Sequence, residues 1–312
     1  MTSRNGSFGG ITFDPGETSS YYGRPILKEP VWKPEIPLYF FTGGVAGASA
    51  VLSLTARAVR NERLAKASMW IGLAGDVVSP ALLVSDLGRP ERFLNMLRVF
   101  KVTSPMSVGS WILAASGAAT SAEAACETLG IFPRLKLVPA TAAALLGGPL
   151  ATYTATLVSD TAIPAWHEAR RELPFVFGSS AAASAGAAAA IAVPPGEAGP
   201  ARRLAVLGVL AETAAMSAME HRLGFLGEPY HQGAAGALNR FAKASTLAGA
   251  WLLGRRGRRS RGAAVAGGAL VLAGEVALRW CVFKAGFASA RDPKYVVRPQ
   301  RERLFKKRMS RV

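Results

Sequence analysis

The chain has 312 residues, 50% of them hydrophobic, with 33 glycines, 37 Lys plus Arg against 20 Asp plus Glu, and a net charge of +17. The cations punctuate long uncharged stretches instead of lining polar, aromatic-interleaved faces, which argues against a nucleic-acid partner. The two cysteines, Cys126 and Cys281, supply no CxxC pair, no iron–sulfur ligand set and no disulfide framework, and read as small residues in helix packing.

Residues 1–35 are polar and rich in Pro and Gly, with no short apolar core followed by a cleavage site, so the first hydrophobic block reads as a retained span. A transmembrane helix needs about 20 mostly apolar residues. Eight blocks are candidates, at 36–58, 67–86, 106–129, 137–159, 174–194, 201–220, 240–253 and 262–283. The first, with YFFTGGVAGASAVLSLTA, lacks the polar stripe that a water-facing helix shows every three or four residues. The expected fold is therefore an all-α integral membrane protein with eight transmembrane helices, not a soluble Ala-rich bundle. The second block ends abruptly in LLVSDLGRPERFLNML, where Asp86, Arg89, Glu91 and Arg92 mark a border of the kind a bilayer edge requires. The fifth, GSSAAASAGAAAAIAV, is marginal in hydropathy, and its small residues suit an interior span packed closely by other helices. The seventh is short and carries Lys243. The chain thus divides into a polar extension (1–35), an eight-helix domain (36–285) and a basic tail (286–312).

Eight spans put both termini on one face, side A, together with the loops after the second, fourth and sixth helices. Side B carries 57–66 and 255–261, with four and five basic residues. Positive charge in short loops marks the cytoplasmic face, so the termini are expected outside the cytoplasmic membrane. The nine basic residues from Arg291 onward weigh the other way.

The three histidines, His167, His221 and His231, fall at or beyond helix ends on side A and read as solvated loop residues or, together, as a metal site. No span offers a facing His pair, which excludes a bundle haem. Four acids lie within blocks: Asp76, Glu123, Glu212 and Glu275. Ionisable residues at such depth are candidates for proton relay, or else buried structural contacts; Glu275 with Arg279 at i, i+4 suits the second reading. In YTATLVSDTAIPAWHEA the side A half of the fourth helix is polar, through Tyr153, Thr154, Thr156, Ser159 and Asp160, with Trp166 expected at headgroup level. Tyr153 is either an interfacial anchor or a hydrogen-bond donor to a quinone carbonyl. Asp86, Asp160, Glu168 and His167 outline a short side A route for protons.

Four stretches in order, EIPLYFFTGGVAGASA, SDLGRPERFLNMLRVFKVTSPMSVGSW, YTATLVSDTAIPAW and RDPKYVVRPQ, resemble the NrfD/PsrC family of quinone-linked membrane subunits over nearly the whole chain. The resemblance implies two four-helix bundles side by side. It also implies electron exchange between membrane quinone, menaquinone or ubiquinone, and a docked ferredoxin-like iron–sulfur subunit linked to a molybdopterin catalytic subunit, with no haem or iron–sulfur cluster in this chain. On the same basis Tyr153 matches the quinone-contacting tyrosine, Tyr39 a polar first-helix position, and Glu35 substitutes where Ile36 replaces a polar contact. The expected function is the quinone-binding anchor of a formate dehydrogenase or a polysulfide or sulfur-compound reductase. An ion transporter using Asp76, Glu123 and Glu212, and a purely structural anchor, are the alternatives.

Overall fold

A computed structural model describes residues 25–87, 89, 91–130 and 136–309, leaving aside the side chains of 92 and 302–309. Most of the polar extension, Gly88 and Pro90 of the border motif, and the last three residues of the tail lie outside the described residues.

Every regular element among the described residues is helical. The long helices are α1 (Glu35–Ala58), α2 (Glu62–Asp86), α4 (Pro105–Leu129), α5 (Leu137–Ser159), α7 (Leu173–Ala192), α8 (Gly199–Leu223), α9 (Gly233–Arg255) and α10 (Arg261–Arg291). Short helices α3 (Arg92–Met96) and α6 (Pro164–His167) and a 3-10 turn, Gly224–Tyr230, lie in the side A connections, and α11 (Lys294–Met309) forms the tail. By length and composition α1, α2, α5, α7 and α10 are apolar enough to cross a membrane.

The boundaries follow from local chemistry. Asn61 caps α2 by accepting the Leu64 N–H at 3.1 Å, so α2 begins at Glu62 and the connection expected over 57–66 is a tight turn. Ser104, with Pro105 behind it, caps α4, and Ser260 caps α10. Helix α9 is longer than its apolar block because its polar turn is satisfied from α8. Glu220 accepts from Asn239 Nδ2 at 2.9 Å and Lys243 Nζ at 2.8 Å. Helix α10 runs past its expected end at 283 to Arg291, and the eighth helix therefore extends beyond the 36–285 segment.

Helix α1 packs on α2 and α5, α4 on α5 and α2, α7 on α8 and α10, and α9 on α10 and α8. Ala-rich α7 touches α1, α5, α8 and α10 and occupies the interior, as its small residues suggest. On side A, Lys33 N–H donates to Asp86 at 3.0 Å, Glu29 pairs with Arg291 at 2.8 Å, and Trp32 stacks on Trp166 with centroids 5.4 Å apart. On side B, Asn61 donates to the Glu197 carbonyl at 2.8 Å, Arg57 and Lys136 both reach Glu127, and Arg261 donates to the Val193 carbonyl. The described turns thus gather at two opposite faces, as alternating long helices require.

Trp166 is fully buried within the bundle: its indole N–H donates to the Val282 carbonyl at 2.7 Å, and Gly286 leaves the space its ring fills.

Candidate functional site

The side A ends of α4 and α5 enclose a cleft of about 580 Å³. The SPMSVGSW stretch builds one wall. Ser107 Oγ donates to the Val99 carbonyl at 3.0 Å and accepts the Lys101 N–H at 3.1 Å, which folds the incoming loop onto the first turn of α4. The other wall is α5 and its continuation, through Tyr153, Thr156, Ser159, Asp160, His167 and Arg170. His167 Nδ1 lies 3.2 Å from the Ser159 carbonyl, tying α6 back to the end of α5.

Tyr153 is the decisive side chain. Gly109 of α4 leaves room for its ring, since a Cβ there would sit 2.1 Å from Tyr153 Cε2. The ring meets Tyr39 of α1 edge to face at 6.4 Å. Its hydroxyl is buried and has no hydrogen-bond partner. Tyr39 is itself buried behind Tyr153, and Glu35, one turn earlier on α1, has a buried carboxylate oxygen without a partner; neither lines the cleft. The structure therefore joins Tyr153, Asp160 and His167 in one cavity, brings Tyr39 against Tyr153, and leaves Glu35 outside it.

A second polar feature runs along α4. Asp76 of α2 is 4% exposed and accepts from Thr120 Oγ1 at 2.8 Å and Ser116 Oγ at 3.4 Å, while its other oxygen is unpartnered. Ser116, Thr120 and Glu123 share one face of α4 by their spacing. Glu123 accepts from Ser53 at 3.1 Å and from the buried Arg57 at 2.9 Å; Arg57 in turn approaches Glu127, which also holds Lys66 at 2.7 Å and Lys136 at 3.2 Å. Asp76 thus stands at the inner end of a polar stripe that opens onto the side B ion pairs. Sequence reasoning named both acids but missed Ser116 and Thr120, whose signal was their i, i+4, i+7 spacing with Glu123 on α4, and Arg57 of α1, which only the packing of α1 against α4 brings to Glu123.

Glu212 belongs elsewhere. It is buried on α8, apart from the α4 stripe, as Glu275 is on α10. Ser180 donates to Glu275. Glu275 and Arg279, expected from spacing to pair, interact electrostatically without a direct ion-pair contact. Arg279 donates to the Phe177 carbonyl at 3.0 Å with its guanidinium 3.8 Å over the Phe177 ring, because α7 presents both groups to that face of α10. His231 approaches Glu220 at 3.7 Å, and among the described residues no group of three or more His, Cys, Asp or Glu is arranged to hold a metal ion.

The family model described as polysulfide reductase, NrfD_2, matches residues 18–292, which include every side chain of the cleft and of both acidic clusters. The chain belongs to this family. No curated protein matches it significantly. Membership and the apolar helices together make it a multi-pass membrane protein, a membrane subunit of polysulfide reductase-type complexes. Subunits of this kind are quinone-linked and work with iron–sulfur and molybdopterin catalytic subunits. Within this chain, residues of the SPMSVGSW and YTATLVSD motifs form facing walls of one cleft.

Proposed function

We propose that this subunit binds menaquinone or ubiquinone in the side A cleft and exchanges electrons with a docked iron–sulfur partner of a molybdopterin oxidoreductase. In this reading all eight long helices span the cytoplasmic membrane as two four-helix bundles, α1–α2–α4–α5 and α7–α8–α9–α10, with the termini outside. The packing partners of each helix support that division. The observation that carries the function is the Tyr153 hydroxyl. A buried hydroxyl without a partner costs about 1–3 kcal/mol, a cost that an incoming carbonyl acceptor removes. Its ring already forms part of the wall of a polar-lined cleft.

The quinone supplies the two-electron, two-proton chemistry. Tyr153 orients its head group by donating to a carbonyl oxygen, with Tyr39 holding the Tyr153 ring from behind. Asp160 and His167, both on the cleft wall at side A, exchange protons with water. Asp76 and Glu123 form a second route toward side B, and Glu212 is a proton-holding site apart from it. Side A docks the iron–sulfur partner, because its connections carry α3, α6 and the 3-10 turn and the tail helix α11 follows on the same side, whereas the fully described side B connections, at 59–61, 193–198 and 256–260, are short. The substrate of the whole complex is formate or a polysulfide or other sulfur compound.

The test is Tyr153→Phe in the assembled complex. Quinol turnover is expected to lose about 0.5–1.5 kcal/mol of binding, roughly two- to tenfold in KM. The stability of the variant holds or rises, since the deleted hydroxyl has no partner to lose. Unaltered quinol kinetics would overturn the assignment and favour a purely structural anchor or an ion transporter.

A further inference from the structure

A second cleft, of about 710 Å³, opens at the side B end of α8 and α9. Arg202 and Arg203 from the first turns of α8 and Arg258 from the α9–α10 turn line it, beside Val206, Leu207 and Gly254. No acidic residue lines it, and the nearest acid in sequence, Glu197, is engaged by Arg63 at 2.8 Å. Arg202 is held from beneath. It is buried, and its Nη1 donates to the carbonyls of Pro195 and Gly257, which fixes its charge at the cleft floor. Arg203 and Arg258 are exposed, and among the described residues no hydrogen bond or ion pair engages either. Three cations around one cavity, at the amino end of a long helix whose first N–H groups add partial positive charge, form a receptor for a doubly solvated anion such as a phosphodiester.

What surrounds the cleft selects the kind of anion. Arg203, Leu207 and Leu210 lie on one exposed face of α8 at i, i+4 and i+7, and the two leucines are 64% and 54% exposed. Trp251 of α9 is likewise exposed, with Arg256 5.8 Å over its ring, an arrangement suited to the level of the headgroups. A cationic cavity at the head of an apolar, outward-facing stripe matches an amphipathic anion better than a free one. We infer that this cleft binds the phosphate headgroup of an anionic phospholipid, with an acyl chain along Leu207 and Leu210. The inference stands whether or not the quinone reading holds.

The full-length chain, purified in a neutral detergent, is exposed to phosphatidylglycerol or phosphatidylcholine at equal mole fraction, and retained lipid is counted by native mass spectrometry. The wild type is expected to retain phosphatidylglycerol preferentially. The double substitution Arg203→Gln with Arg258→Gln lowers that retention by about tenfold and leaves phosphatidylcholine unchanged. Arg255→Gln with Arg259→Gln removes equal charge from the same turn outside the cleft and keeps the preference. Inorganic phosphate in large excess leaves the lipid bound. Equal retention of the two lipids by the wild type, a result that needs no variant to fold, overturns the inference. So does a preference that survives in the cleft variant, one lost equally in the outside variant, or lipid displaced by inorganic phosphate.

Discussion

Gly109 and Tyr153 illustrate how a missing side chain makes a site. The Tyr153 ring occupies the volume that any other residue at 109 would claim, and this directs the phenol inward against Tyr39. Gly109→Ala is therefore expected to displace the ring and to weaken quinone turnover more than Tyr153→Phe does, because it moves the whole wall where the other variant removes one donor. Steady-state quinol kinetics on the two variants side by side check this order. Asp76 is a different kind of residue. Its two hydroxyl donors, Thr120 and Ser116, both bind one oxygen, and the amide of Asn keeps an acceptor for them. Asp76→Asn is thus expected to assemble normally with the partner while slowing quinone turnover, since the amide cannot carry the exchanged proton. Normal turnover in a correctly assembled Asp76→Asn complex would return Asp76 to a structural helix contact.

Helix crossings here depend on backbone contact. Gly47 of α1 meets Gly147 of α5 so closely that a Cβ at 47 would stand 2.3 Å from the Gly147 carbonyl oxygen. Hydrophobic driving force between helices is weak in lipid, so this close approach is what brings their dispersion contacts into range. Gly47→Ala is expected to cost about 1–3 kcal/mol through overpacking. Gly43→Ala, one turn away, meets only Ser79 Oγ at 3.8 Å and serves as the tolerated control. Thermal unfolding of the two purified variants separates them, and equal melting temperatures would refute the account of the crossing. The spacing that exposes a helix to its neighbours was legible here: blocks at 36–58, 106–129 and 137–159 coincide with α1, α4 and α5 to within a residue. Helix α9 was not, because Asn239 and Lys243 look like a break until Glu220 of α8 is seen beside them.

Across the whole molecule, the two faces differ in build. Side A is tied together by Glu29–Arg291, Lys33–Asp86 and the Trp32–Trp166 stack, so the described part of the extension is a fixed surface over the cleft end of the bundle. A partner bound there keeps the electron path from the cleft short. Photo-crosslinkers placed at the exposed Val31 and Leu94 on side A are expected to capture a co-expressed iron–sulfur subunit, and one at exposed Val59 on side B is not. Capture through Val59 alone would reverse the docking face and move the proposed electron path away from Tyr153.

The sequence by itself determined the class of fold, the place of nearly every long helix, and the side A position of Tyr153, Asp160 and His167. Those properties are local: an uncharged run long enough to satisfy its own backbone becomes a helix, and a charged border ends it. Only the tertiary structure decided who faces whom. Glu123 found Arg57, Arg279 turned to the Phe177 carbonyl, Trp166 packed against Val282, and Tyr39 came to rest against Tyr153. Each of these pairings joins separate helices, and spacing along one helix fixes a residue's own face while leaving open which other helix meets it.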